Sequence, residues 1–174
     1  MRTPKPLRRP TAVAAVLLVL LLAACAPGAD EATTDGAVSG EAAEQPLEQR
    51  VSASAVVHKS PTCDCCTAHE DYLEGAGLAL RAEIHEEDLV VWKEERGIPR
   101  ELWSCHTTEV GGYLVEGHVP AETIARLLDE QPDIDGIALP GMPAGSPGMP
   151  GEQDEPWVIE AFAGGEPVGV FETR

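Results

Sequence analysis

The motif Cys63-Asp64-Cys65-Cys66 constrains this chain more than any other feature, because it places three of the five cysteines within four residues. It follows a short β-branched segment and precedes an amphipathic one, so we predict that it lies where a strand passes into a helix. The dipole and free N–H groups of a helix N-terminus favour thiolates. Thiols this close together exchange disulfides, bind a soft metal ion, or form a disulfide that only staples the loop.

The outer cysteines of the motif, Cys63 and Cys66, have the C-x-x-C spacing of redox proteins and are the redox candidates. Exchange chemistry needs only this pair, and the extra thiol of Cys65 would promote disulfide scrambling in an oxidising compartment. Cu(I) suits the cluster better, since thiolates can bridge more than one such ion. A Zn²⁺ site is a third interpretation, although adjacent cysteines suit one tetrahedral ion poorly. We therefore predict Cu(I) binding by Cys63, Cys65 and Cys66, with an enzymatic copper or thiol oxidoreductase activity left open.

The first 24 residues are predicted to be a signal peptide. A basic start is followed by an apolar run from Thr11 to Ala24, which is shorter than the ~20 residues that span a bilayer. The junction Leu22-Ala23-Ala24-Cys25 resembles a bacterial lipobox, in which Cys25 would carry the lipid anchor. Ordinary cleavage at a nearby small-x-small site is the alternative. Either reading predicts an extracytoplasmic protein, on the periplasmic or the cell-surface side.

The remainder of the chain divides into a tether and a domain. Residues 25–50 are rich in alanine, glycine, threonine and acidic side chains, so we expect a disordered acidic tether. Residues 51–174 are predicted to form one metal-binding domain. The formal net charge of −18 argues against nucleic-acid binding, which requires a basic surface. We expect a monomer that contacts the membrane only through its anchor, and whose partner is a copper-exchanging or electron-donor protein of the cell envelope.

The hydrophobic pattern of the domain predicts the order β-α-β-α-β-β-α, followed by an extra β-hairpin. This order is that of a thioredoxin-like α/β sandwich. Asp88 is the expected cap of the second helix, and Gly111-Gly112 the expected turn of the first hairpin. The predicted strands are 54–58, 78–84, 105–110, 113–115, 157–162 and 168–171, and the predicted helices are 64–76, 89–96 and 120–130.

Such a topology returns distant residues to the cysteine motif. The third strand would run antiparallel to the first, so its start at Cys105-His106 should lie beside the motif. The fourth strand would end there at Gly117-His118. Cys105 is therefore a candidate ligand or disulfide partner, and His106 a ligand if its side chain lies on the same face. His118 is a candidate ligand, with a capping role as the alternative.

Other soft or nitrogen donors are weaker candidates. His69 follows Cys66 by three residues on the first helix, but we expect it to face solvent. His58 and His85 end strands and are expected to be ordinary surface or edge histidines. Met142 and Met149 lie in a Pro/Gly-rich loop, where a thioether can bind Cu(I) or simply pack.

Four segments together resemble the CopG-like family of small bacterial periplasmic proteins, long described as a domain of unknown function. They are SPTCDCC at 60–66, SCHT at 104–107, GGYLVEGHVP at 111–120 and LPGMPAGSPGM at 139–149. The resemblance covers residues 54–172. It implies a thioredoxin-like fold, Cu(I) bound through the cysteine motif, and a role in copper homeostasis or resistance that could include copper redox chemistry. Matched residue by residue, the resemblance implies metal-ligand roles for a set of cysteines, and after them for one histidine and two methionines. The cysteines are Cys63, Cys65, Cys66 and Cys105, and the others are His118, Met142 and Met149. The lipobox and the tether are not part of the family pattern and suggest a surface-anchored variant.

Overall fold

A computed structural model describes residues 55–174, in which a mixed β-sheet is flanked by helices. The helices are α1 (Asp64–Gly75), α2 (Leu89–Glu95) and α3 (Ala121–Glu130), with a short 3₁₀ turn at Arg100–Leu102. The strands are β1 (Ala55–Lys59), β2 (Leu80–Ile84), β3 (His106–Val110), β4 (Tyr113–Glu116), β5 (Gly136–Ala138), β6 (Val158–Ala163) and β7 (Glu166–Thr173).

Within the described range, the seven strands form one sheet in the order β2-β1-β3-β4-β5-β6-β7. The pairs β1–β2 and β4–β5 are parallel, and the other neighbours are antiparallel. The predicted mixed α/β class is confirmed. A thioredoxin-like arrangement stays a prediction.

The central pairing of the sheet places the site. β3 runs antiparallel to β1, with Lys59 opposite His106 at the end where β1 leads into the cysteine motif. β4 runs antiparallel to β3 and ends at the same edge. The predicted return of both segments to the motif is therefore confirmed at the level of topology.

Two apolar cores lie on opposite faces of the sheet. On the α1 and α3 face, the largest fully buried side chains are Leu73, Ile124 and Leu127, packed against inward-facing strand residues. On the α2 face, Phe162 and Leu102 form a smaller core. Because side chains alternate along a strand, consecutive residues of β1 and β3 serve different faces. The two faces can therefore carry separate polar sites.

The elements differ from their predicted bounds in a few places. The three-residue strand β5 was not predicted, because so short a segment shows no periodicity. It joins the C-terminal hairpin to the rest of the sheet, so the hairpin is not a separate addition. Asp88 does precede α2, but its side chain makes no capping hydrogen bond and instead contacts His85. Pro120, predicted inside the first turn of α3, is its N-cap residue.

The predicted signal peptide, the lipidation site Cys25 and the tether lie outside the described residues. In the part of the chain that the structure describes, no helix has the length and apolar character needed to cross a membrane.

Candidate metal centre

The cysteine motif lies at the start of α1, as predicted. Cys63 is the N-cap residue of the helix, and Cys66 is buried in its first turn. The two form a disulfide, with their Cα atoms 5.3 Å apart. The outer pair of the motif is thus oxidised in this structure.

Cys65 and Cys105 are the free cysteines of the described residues. The sulfur of Cys65 lies 3.6 Å from that of Cys63 and 3.9 Å from that of Cys105. All four sulfur atoms of Cys63, Cys65, Cys66 and Cys105 lie within 4.8 Å of one another. The fold therefore brings the predicted cysteines together, although two of them are linked to each other.

Two imidazole nitrogens face the sulfur of Cys105. His106 Nδ1 lies 3.2 Å from Cys105 Sγ, and His118 Nε2 lies 3.0 Å from it. Both histidines are fully buried. The His106 side chain lies on the α1 face of the sheet, the same face as the cysteine motif. It therefore meets the condition that we set for a ligand role. The glycine before His118, Gly117, has a φ of +79° and leaves no room for a Cβ beside Ser104 and the Leu139 carbonyl.

His69 completes the cluster, and its predicted exposure was wrong. It is fully buried on α1, with Nδ1 2.9 Å from His106 Nε2 and Nε2 3.0 Å from the carbonyl oxygen of Val119. The sequence did contain a signal: His69 lies three residues after Cys66 and four before Leu73, on the stripe that α1 buries. A polar residue on a buried stripe requires partners.

The hydrogen bonds determine which nitrogens carry protons. A carbonyl oxygen only accepts, so His69 donates its Nε2–H to Val119 and keeps a lone pair on Nδ1. His106 must then donate its Nε2–H to His69, which leaves a lone pair on its Nδ1. His118 donates its Nδ1–H to the carbonyl oxygen of Pro147 at 2.6 Å, which leaves a lone pair on Nε2. Both lone pairs are directed at Cys105.

Burial keeps the three imidazoles neutral. It lowers the pKa of His69 to about 4 and that of His106 well below its usual value, with the neighbouring imidazoles lowering the latter further. It also lowers the pKa of His118, against the opposing effect of the Pro147 carbonyl. Burial, followed by the effect of Cys65, raises the pKa of the Cys105 thiol to about 12. A cation that binds here would displace the thiol proton.

A buried ion pair holds the segment before Cys105. Lys93 Nζ lies 2.5 Å from Glu116 Oε1, and both side chains are almost completely inaccessible. Glu116 also accepts the backbone N–H of Ser104 at 2.6 Å, while Lys93 donates to the Ser104 carbonyl at 2.9 Å. Both backbone groups of Ser104 are thereby fixed. This ion pair was not predicted, because each of its residues alone resembles an ordinary surface charge.

The Pro/Gly-rich loop covers the centre. A Cβ on Gly148 would lie 2.7 Å from the backbone nitrogen of His69 and 3.0 Å from the carbonyl oxygen of Cys65, so the loop backbone rests directly on α1. Met149 follows and is partly buried, whereas Met142 is 51% exposed. A ligand role for either methionine stays a prediction.

Comparison with known proteins agrees with these observations. Residues 102–149 match the family described as "Protein of unknown function, DUF411". Two solved structures, named "Copper resistance protein copG- Form 1" and "Form 2", are each 35% identical to this chain with a TM-score of 0.62. They cover 69% of this chain, which in turn covers 95% and 96% of theirs. The chain belongs to the CopG-like family.

The predicted CopG-like resemblance is thus confirmed. The segment matched by the family description contains Cys105, His106, His118 and both loop methionines, whereas the cysteine motif precedes it. No curated protein matches the chain.

The histidine cluster predicts a specific loss of stability in acid. His69 has a pKa of about 4 when folded and 6.5 when unfolded, so the unfolded chain binds more protons between these values. The contribution of neutral His69 to the free energy of unfolding is fully present above pH 6.5 and is lost as the pH falls towards 4. At about 1.4 kcal/mol per pKa unit, the loss between pH 7 and pH 5 is roughly 2 kcal/mol.

Urea unfolding of the wild type and of a His69→Gln variant at both pH values would measure this loss. The glutamine amide can still donate to the Val119 carbonyl but does not titrate. We expect the variant to lose roughly 2 kcal/mol less than the wild type on acidification. Equal losses in the two proteins would contradict a buried, neutral His69.

Proposed function

We propose that this chain is an extracytoplasmic copper-binding protein that acts in copper homeostasis or resistance. It would hold Cu(I) at the centre formed by Cys65, Cys105, His106 and His118. The observation that carries the proposal is the pair of imidazole lone pairs directed at Cys105, beside the second free thiol of Cys65. The names of the two similar solved structures support the choice of copper.

The donor set favours a soft ion. Thiolates and imidazoles suit Cu(I), whereas Ca²⁺ and Mg²⁺ prefer oxygen ligands. Both imidazoles hold their outer N–H groups on fixed acceptors, His69 and the Pro147 carbonyl, which is how metal-ligating histidines are oriented. With four cysteine sulfurs close together, thiolate bridging of more than one ion is chemically feasible. A Zn²⁺ site has lower priority, since adjacent cysteines suit one tetrahedral ion poorly.

The disulfide makes the ligand set depend on redox state. With Cys63 and Cys66 joined, the centre offers the two thiols of Cys65 and Cys105 and the two imidazoles of His106 and His118. Reduction by two electrons and two protons would free two further thiols at the same place. We therefore propose that the reduced protein binds copper more tightly, or more of it, than the oxidised protein. Met149 and Met142 are retained as lower-ranking proposed ligands from the covering loop.

The proposal extends to fold and location. The strand order β2-β1-β3-β4, with α1 beginning at the end of β1, supports a thioredoxin-like core for the metal-binding domain 51–174. We propose that residues 1–24 are a signal peptide, that Cys25 carries a lipid, and that residues 25–50 form a tether. The monomeric domain would then exchange copper, or receive electrons, at the membrane surface from a partner in the cell envelope.

An anaerobic titration with Cu(I) against a competing chelator tests the copper proposal. We expect the protein with a reduced Cys63/Cys66 pair to bind more copper than the disulfide form. The change Cys65→Ser should weaken binding by at least about tenfold, or 1.4 kcal/mol, since it removes a free thiol from the centre.

Thr62→Ser is the matched control, because it alters an exposed hydroxyl side chain next to the motif without removing a thiol. Its affinity should equal that of the wild type. If Cys65→Ser and the triple change of Cys63, Cys65 and Cys66 to serine both bind Cu(I) as tightly as Thr62→Ser, the cysteine centre is not the copper site.

A thiol–disulfide oxidoreductase is a second candidate, favoured by the disulfide at the N-terminus of α1. Cys63 is partly exposed while Cys66 is buried, so an incoming thiolate would reach the sulfur of Cys63. This candidate predicts that Cys65→Ser retains disulfide-reduction activity, because exchange uses only the outer pair. A reduction potential below about −300 mV, with no turnover of a protein disulfide, would exclude it.

A further inference from the structure

The remaining two histidines form a separate cluster on the opposite face of the sheet. His58 lies in β1 and His85 follows β2, and they are only 2% and 7% exposed. Their expected status as surface or edge histidines was therefore wrong. His58 Nδ1 lies 3.0 Å from His85 Nε2, and the ring of Trp92 stacks on that of His58 with centroids 3.9 Å apart.

The outer nitrogens of this pair are held by carboxylates. His58 Nε2 lies 3.2 Å from Glu109 Oε2, and His85 Nδ1 lies 3.3 Å from Asp88 Oδ1. Glu109 also forms an ion pair with the guanidinium of Arg96. An ionised carboxylate only accepts hydrogen bonds, so these two contacts favour the ring tautomers that carry an N–H on the outer nitrogen.

The inner nitrogens then carry lone pairs that face each other. In neutral rings with these outer N–H groups, neither His58 Nδ1 nor His85 Nε2 bears a hydrogen. Two lone pairs at 3.0 Å repel unless a cation lies with them, and that cation is either a shared proton or a metal ion.

A third donor distinguishes the two cations. Glu83 is the register partner of His58 in the parallel β1–β2 pair, so its side chain lies on the same face. One ligand atom from each of His58, Glu83 and His85 lies within 4.8 Å of the other two. The Glu83 side chain is 47% exposed, which leaves a path from solvent. A shared proton needs only the two rings, whereas a carboxylate as third donor gives the set used for divalent ions.

We propose that His58 Nδ1, His85 Nε2 and a carboxylate oxygen of Glu83 form a second metal site, for a borderline divalent cation. Two imidazoles and one carboxylate suit Zn²⁺ with an open fourth position, and nitrogen and oxygen donors also suit Cu²⁺. Glu109 and Asp88 orient the two rings through their outer N–H groups. The site contains no sulfur, so it selects a different class of ion from the cysteine centre.

Metal titration of a thiol-free variant tests this site separately from the copper proposal. The full chain carrying Cys25→Ser, Cys65→Ser and Cys105→Ser keeps only the two cysteines of the Cys63–Cys66 disulfide, so it has no free thiol. We would titrate it with Zn²⁺ by calorimetry and with Cu²⁺ by electron paramagnetic resonance, where bound imidazole nitrogen gives a characteristic splitting. We expect one ion to bind at this site.

Further changes in that background locate the ion. Glu83→Gln and His85→Gln should each weaken binding by at least tenfold. Glu86→Gln is the matched control, since it removes the same charge from a neighbouring exposed side chain and should leave binding unchanged. Glu83→Gln alters an exposed residue, so its result stands even if His85→Gln does not fold.

Three results would overturn the site. One is equal affinity in the Glu83→Gln and Glu86→Gln variants. Another is uptake of neither ion. The third is a nitrogen magnetic resonance spectrum, in the presence of either ion, that shows a proton still shared between His58 and His85. Each would be compatible with copper binding at the cysteine centre, because that centre uses different residues.

Discussion

The hydrogen bond from His69 to the Val119 carbonyl is the interaction on which the candidate centre depends. Because a carbonyl cannot donate, this bond fixes the proton of His69 on Nε2. His69 can then only accept from His106, so the free nitrogen of His106 faces Cys105. The Val119 carbonyl therefore determines, through His69, which nitrogen of His106 carries the lone pair. Full burial makes this arrangement persistent, because no water competes for these groups.

Much of the centre could be predicted from the sequence, because its physical basis is local or topological. The cysteine motif at a strand-to-helix junction follows from neighbouring hydrophobic patterns. The arrival of Cys105 and His118 follows from alternating strand directions, and the distances of Cys105 from Cys65 and His118 agree with it. Cu(I) as the ion bound by these groups stays a prediction.

Other features could not be predicted because they depend on tertiary contacts. The partner that makes a buried His69 tolerable is Val119, fifty residues later in the chain. The buried ion pair of Lys93 and Glu116 links helix α2 to strand β4. His58 and His85 meet only because β1 pairs with β2 in the sheet. In the sequence, each of them alone resembles a surface histidine. In each case the fold pairs two polar groups that lie more than twenty residues apart in the sequence.

The protonation pattern of the imidazoles tests the account most directly. Long-range ¹H–¹⁵N correlation spectra of the metal-free protein near pH 7 distinguish the two neutral forms of each ring from the charged form. We predict protons on Nε2 of His69, Nε2 of His106 and Nδ1 of His118, with the opposite nitrogens bare. A proton on Nδ1 of His106 or on Nε2 of His118 would show that these nitrogens are not prepared to bind a metal ion, and would contradict the account.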